Sequence, residues 1–190
     1  MKSILLILTL IINLQLFGQN FNGIQLGKSL QQTELELKQK GFTFSNEITP
    51  TIRTYNGKIG ETPTKVLIVL TPTSKIVWKI QVEVNQSYSW YSSKSSFSKY
   101  RDILIEKYGN PKNEYTFFSK PYYDGDGYEM SAIRNDKCVY FNAWENEEGY
   151  IVLELKSYKY DVVTTIISYE NKKASNIKEE ETKTFNNKTF

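Results

Sequence analysis

The residues with the clearest chemical potential lie in one short acidic segment in the second half of the chain. Asp124, Asp126 and Glu129 are separated there by glycines and a tyrosine. Carboxylate oxygens are the ligands that Ca²⁺ prefers in proteins. The full calcium-loop spacing is absent, because Tyr128 stands where a third acid belongs, and Asp-Gly pairs are also a strong signal for a tight turn. The segment therefore has two interpretations, a calcium site on these three carboxylates and a plain turn.

An aromatic segment that leads into a predicted helix is the second candidate site. Tyr88, Trp90 and Tyr91 lie among three serines there. Aromatic rings cover a large area at a low cost in side-chain entropy, so exposed rings would suit a protein partner or a sugar ring. The same rings could instead pack beneath the edge of a sheet, and the sequence leaves both interpretations open.

The composition excludes the commonest catalytic centres. The chain has no histidine and one cysteine, so it cannot form Ser–His or Cys–His pairs or the usual zinc sites. Cys138 lies in an apolar run that predicts a strand, and we expect a buried, unreactive thiol. The alternative to a binding function is therefore a histidine-free hydrolase or lyase that works through carboxylates, with calcium assistance at Asp124, Asp126 and Glu129.

The first 18 residues have the pattern of a secretory signal peptide. Lys2 precedes an apolar run from Ile4 to Leu16, and Gly18 supplies a small residue at the cleavage point. The run is shorter and more interrupted than the roughly 20 apolar residues of a transmembrane helix. We therefore expect an exported protein, in the periplasm or outside the cell, whose mature chain begins at Gln19 and has no transmembrane anchor.

Two helices and a series of strands are predicted along the chain that carries these candidate sites. Ser29 opens the first helix with capping-box spacing, and Gly41 ends it. Apolar residues at three- and four-residue steps predict a second helix that starts between Ser92 and Ser96 and ends near Tyr108. The predicted order is helix, three strands, helix and five strands, with one of the last five over residues 128–133.

These elements predict an α+β fold. We expect one antiparallel sheet of about seven or eight strands with two helices on one face, in two similar halves of a helix followed by strands. The predicted organisation is a signal peptide over residues 1–18, a single domain over 19–170 and a flexible polar tail over 171–190, because the last segment has little to bury.

Nearly the whole mature chain resembles a group of small, uncharacterised secreted proteins of Gram-negative gut and environmental bacteria. The segments that carry the resemblance are Gly23–Gly27, Val77–Ile80, Ser89-Trp90, Lys107–Gly109, Pro121–Met130 and Lys137-Cys138. The resemblance implies export and a single domain, but it supplies no activity and no site. In layout the chain is also similar to the small β-barrel-assembly lipoproteins and to the β-lactamase-inhibitor proteins, which act by binding proteins. It lacks the lipidated cysteine of the former and the disulfides of the latter.

The sequence thus favours a non-enzymatic binding domain. The expected partner is a protein, with a glycan second. A net charge of +3 with acids and bases mixed along the chain gives no reason to expect nucleic acid. We expect no cofactor apart from the candidate calcium ion.

Overall fold

A computed structural model of the chain describes residues 20–159 and 162–189. The predicted signal peptide lies outside these residues. Within the described ranges, no helix combines the length and the apolar character that a membrane crossing requires.

The centre of the fold is an eight-stranded antiparallel sheet, which confirms the predicted α+β class. The strands are β1 (Asn20–Phe21), β2 (Ile24–Gln25), β3 (Thr43–Thr49), β4 (Ile52–Ile59), β5 (Thr62–Leu70), β6 (Val77–Ser87), β7 (Asn113–Phe118), β8 (Cys138–Glu145), β9 (Gly149–Lys159) and β10 (Val162–Asn171). The helices are α1 (Leu30–Gln39), α2 (Trp90–Tyr108), α3 (Glu129–Arg134) and α4 (Lys172–Thr189). Strands β1 and β2 form a small sheet of their own, and the large sheet has the order β3-β4-β5-β6-β10-β9-β8-β7.

The large sheet consists of two halves that are joined at its centre. Each half is a helix followed by four strands, α1 with β3 to β6 and α2 with β7 to β10, and the last strands of the halves, β6 and β10, pair with each other. The predicted order of three strands and then five is therefore wrong, because both halves have four. The second half differs from the first by the insertion of α3 between β7 and β8.

One face of the sheet carries α1, α2 and the main core. Val66, Val82 and Ile167 are cross-strand neighbours on β5, β6 and β10, and all three are buried on this face. Leu37 of α1 and Phe97 of α2 complete the same cluster. The predicted capping box of α1 is also present, with Ser29 and Gln32 bonded reciprocally.

Helix α3 replaces a predicted strand. The assignment of Tyr128–Ile133 to a strand is wrong, because a run of six residues fits either period and local contacts decide the outcome. Asp126 Oδ1 accepts the N–H of Tyr128, the residue directly before the helix, at 2.7 Å, which orders the turn that leads into α3. Ala132 and Ile133 are then buried together in the core.

Helix α4 lies on the opposite face, at the end of the sheet where β10 finishes. Tyr150 and its cross-strand partner Glu145 point away from the core, because the adjacent residues Ile151 and Trp144 point into it. Lys172 Nζ bonds Glu145 Oε1 at 2.9 Å and lies 4.9 Å from the centre of the Tyr150 ring. The first turn of α4 is therefore fixed to β8 and β9.

This helix corrects the prediction of a flexible polar tail. Its composition offers little to bury, but contacts with segments distant in sequence hold it. Lys178 Nζ lies 5.2 Å from the Trp78 ring centre, and the Glu181 carboxylate accepts the N–H groups of Thr73 and Ser74. A reading of the local sequence does not reveal these contacts.

Replacement of Gly57 by alanine should destabilise the fold by about 1–3 kcal/mol, the usual cost of overpacking. A Cβ atom at Gly57 would lie 2.5 Å from the Phe42 ring, which is itself buried in the core. Urea denaturation of Gly57→Ala would measure this cost. Lys58→Ala, an exposed change one residue further along β4, is the control and should change the free energy of unfolding by less than about 0.5 kcal/mol. Equal stability of the two variants would contradict the close packing of Phe42 on β4.

The ion pairs at the start of α4 should stabilise the protein only while Glu145 is ionised. Hydrogen bonds from Lys112 and Lys172 lower the pKa of Glu145 to about 2, from an ordinary value of 4.5. Because the folded-state pKa is lowered, this contribution is fully present above about pH 4.5 and is lost as the pH falls towards 2.

Thermal unfolding of the natural chain and of Glu145→Gln, followed from pH 7 downwards, would check this dependence. We expect the variant to have the lower Tm at neutral pH and the difference to disappear in acid. A difference in Tm that does not change with pH would contradict the assigned role of Glu145.

Candidate functional site

The structure brings the two predicted sites together at one end of the sheet. Strands β6 and β7 finish there, and β8 and β10 begin there. The aromatic segment follows β6 directly, and the acidic segment occupies the connection from β7 to α3. Lys94 Nζ on α2 lies 3.5 Å from Asp124 Oδ1, so an ion pair links the two segments.

Trp90 supports this end of the sheet from beneath. The Trp90 ring packs edge to face on Phe118 and Tyr140, with ring centroids 6.0 and 5.2 Å apart. Lys94 Nζ lies 5.4 Å from the centre of the Trp90 ring. Tyr140 in turn packs edge to face on Phe97 of the core. Of the three predicted contact residues, Trp90 is therefore a packed residue.

The other two predicted aromatic residues are on the surface, together with two more tyrosines from the acidic segment. The exposed fractions are 79% for Tyr88, 82% for Tyr91, 65% for Tyr123 and 66% for Tyr128. We call these four side chains, which belong to the two segments that the Lys94–Asp124 ion pair links, the tyrosine surface. Tyr123 and Tyr128 were not predicted as contact residues, although they stand at the two ends of the same glycine-rich turn as the predicted acids Asp124 and Asp126.

The acidic residues hold the turn that presents two of these tyrosines. Asp126 accepts the N–H of Tyr123 at 3.0 Å and that of Tyr128 at 2.7 Å, while the buried Glu129 accepts the N–H of Gly125 at 3.0 Å. Carboxylates bonded in this way order a turn. Among residues 20–159 and 162–189 there is no group of three His, Cys, Asp or Glu side chains that could hold a metal ion. The plain-turn interpretation therefore accounts for Asp126 and Glu129, and the geometry adds no support to the calcium interpretation.

Serine side chains fix the other segment of the tyrosine surface. Helix α2 begins at Trp90, earlier than predicted, so that Trp90 and Tyr91 belong to its first turn. Ser87 Oγ accepts the N–H of Ser89 and donates to the Ser89 carbonyl, both at 3.0 Å. Ser93 Oγ donates to the same carbonyl at 2.9 Å. The backbone next to Tyr88 and Tyr91 is thus held by local hydrogen bonds.

The only cysteine of the sequence lies behind the acidic turn and is buried, as predicted. Burial, followed by the negative charges of Asp124 and Glu129, raises the pKa of Cys138 to about 12. The same three causes, with Cys138 itself, raise the pKa of Tyr140 to about 12. Both groups are therefore protonated at neutral pH, and neither is an activated nucleophile.

Searches against protein-family models, curated proteins and solved structures found no match to this chain. The resemblances inferred from the sequence therefore remain predictions.

The support role of Trp90 predicts a difference in stability between neighbouring aromatic residues. Trp90→Ala should lower the free energy of unfolding by about 2–4 kcal/mol, because it removes a ring that packs on Phe118 and Tyr140. Tyr88→Ala and Tyr91→Ala should each change it by less than about 0.5 kcal/mol, because both side chains are mostly in solvent. Urea denaturation of the three variants is the measurement, and similar losses in all three would contradict the division into support and surface.

Proposed function

We propose that this chain is an exported, non-enzymatic binding domain and that the tyrosine surface holds a protein partner. The observation that supports this proposal is the set of four tyrosine rings, each about two-thirds or more exposed. The backbone that carries them is held by hydrogen bonds from its own serine and aspartate side chains. Export follows from the predicted signal peptide.

The area of the tyrosine surface suits a protein interface. Aromatic side chains bury roughly 150–250 Å² each when they are covered. Four rings that are mostly exposed would therefore contribute roughly 400–800 Å², which approaches the share of about 800 Å² that one partner provides in an ordinary protein interface. A single sugar ring would cover only one or two of the four tyrosines, so a protein partner is favoured over a glycan.

The chemical composition of the surface also suits binding. Tyrosine with serine and glycine is a combination by which binding loops join rigid contact area to adaptable hydrogen bonding. Since the turn around Asp126 and the start of α2 are already ordered, little conformational entropy would be lost on binding. Preorganisation of this kind improves affinity without adding contacts.

The carboxylates that a hydrolase or lyase would use have other roles here. Asp124 pairs with Lys94, and Asp126 and Glu129 accept backbone N–H groups. Cys138 is buried with a raised pKa. The arrangement therefore supports binding ahead of the carboxylate-based enzyme.

Capture of a partner from the envelope and culture fluid of the source organism would test the proposal. The immobilised natural chain should retain one dominant protein, and simultaneous replacement of Tyr88, Tyr91, Tyr123 and Tyr128 by alanine should reduce that capture at least tenfold. The matched control is Leu35→Ala with Ile48→Ala, two exposed apolar residues on α1 and β3, and it should capture as the natural chain does.

Thermal unfolding of both variants establishes that they are folded. Capture that survives loss of the four tyrosines, or a folded natural chain that retains nothing, would overturn the proposal. Capture of a polymer that resists proteases and is destroyed by periodate would show that the partner is a glycan and not a protein.

A further inference from the structure

The two edges of the large sheet are protected to different degrees. Strand β3 is irregular, with two register shifts against β4 and an ion pair between Glu47 and Arg53 at 2.9 Å. Strand β7 also carries one acidic residue, Glu114, which pairs with Arg101 at 3.7 Å, but it pairs with β8 without a shift over its whole length. Bulges are one of the devices that prevent edge strands from pairing with other chains. The β7 edge lacks the bulges that interrupt β3.

The hydrogen-bonding groups on the outer side of β7 can be assigned from the ladder with β8. Ser119, directly after β7, donates its N–H to the carbonyl of Lys137 at 2.7 Å. In an antiparallel pair the bonded positions alternate, so residues 113, 115 and 117 direct their N–H and C=O groups towards β8. Residues 114, 116 and 118 therefore direct theirs away from the sheet, where none of the described strands pairs with them.

The side chains between these outward groups are aromatic. Tyr115 and Phe117 are 51% and 49% exposed. Their partners on β8 are Phe141 and Val139, which flank the core-facing Tyr140 and so point to the opposite face. The edge thus combines free backbone groups with two exposed rings on the same face.

We propose that β7 pairs antiparallel with β7 of a second copy of this chain, about a twofold axis at Thr116. This register makes hydrogen-bonded pairs of Thr116 with Thr116 of the second copy and of Glu114 with Phe118. It places each Tyr115 opposite Phe117 of the second copy in the closely spaced, non-hydrogen-bonded position, where cross-strand side chains make their best contacts. The two eight-stranded sheets then form one continuous sheet.

The sequence of β7 is what selects a second copy as the occupant. Aromatic residues stand one position before and one position after Thr116, so a twofold axis there pairs ring with ring twice. In this register the only charged residue of β7, Glu114, lies opposite Phe118 of the second copy and not opposite another carboxylate. Lys112 would lie opposite Lys120 of the second copy, but only beyond the ends of β7, and Lys112 already forms an ion pair with Glu145.

The mass of the purified protein in solution, measured by sedimentation or light scattering between about 1 and 100 µM, would test the pairing. We expect a dimer that dissociates on dilution. Thr116→Pro removes only an outward N–H, and Phe117→Lys places a charge on the edge, so both variants should be monomeric. Ile48→Lys makes the matched change on β3, where the side chain is also exposed, and should leave the dimer intact.

Cysteine cross-linking would test the register. In Thr116→Cys the two Cα atoms would lie about 5.5 Å apart, within the range that a disulfide spans. The two copies of Glu114→Cys would lie roughly 14 Å apart and should not cross-link. Cys138 is buried and protonated, so it should add no background. A natural chain that stays monomeric throughout, a dimer that survives both edge variants, or cross-linking at position 114 in preference to 116 would overturn the proposal.

Discussion

The pairing of β6 with β10 is the interaction on which the rest of the structure depends. It joins the last strands of two four-stranded halves, and without it α1 and α2 would each face a separate small sheet. Residues Val162–Tyr169 of β10 are all buried, which makes this strand the centre of the protein. On the face that carries α1 and α2, Ile167 lies beside Val82 and Tyr169 beside Ile80, so the junction belongs to the main core. The burial of apolar side chains at this junction therefore holds the two halves in one register.

This register also determines where the tyrosine surface forms. Because β6 ends beside the start of β10, the first turn of α2 lies at the same end of the sheet as the connection from β7 to α3. Trp90 fills the space between these segments and the core, and Lys94 reaches Asp124 across them. Asp126 and Glu129 accept backbone N–H groups of the turn, while Tyr123 and Tyr128 next to them are exposed to solvent. The sheet thus joins two local turns that are far apart in the sequence into one surface.

The sequence predicts those features that local forces determine. The capping box of α1, the end of α2 and the burial of Cys138 each depend on neighbouring residues or on a simple apolar pattern, and all three are confirmed. Helix α4 could not be predicted in this way, because a helix with so few apolar residues is held by Glu145 and Trp78 on distant strands. The exposure of Tyr88 and Tyr91 beside a packed Trp90 was equally beyond prediction, since it depends on how β7 and β8 approach α2.

Amide hydrogen exchange of the free protein is the most direct test of the central claim, that two distant segments form one surface ordered before any partner binds. We expect the N–H groups of Tyr123, Gly125 and Tyr128 to exchange well below the rates of an unstructured peptide, because carboxylates accept them. We also expect Trp90→Ala to accelerate exchange in both segments. Exchange of residues 123–128 at peptide rates, or with no response to the loss of Trp90, would show that the surface is not ordered in the free protein.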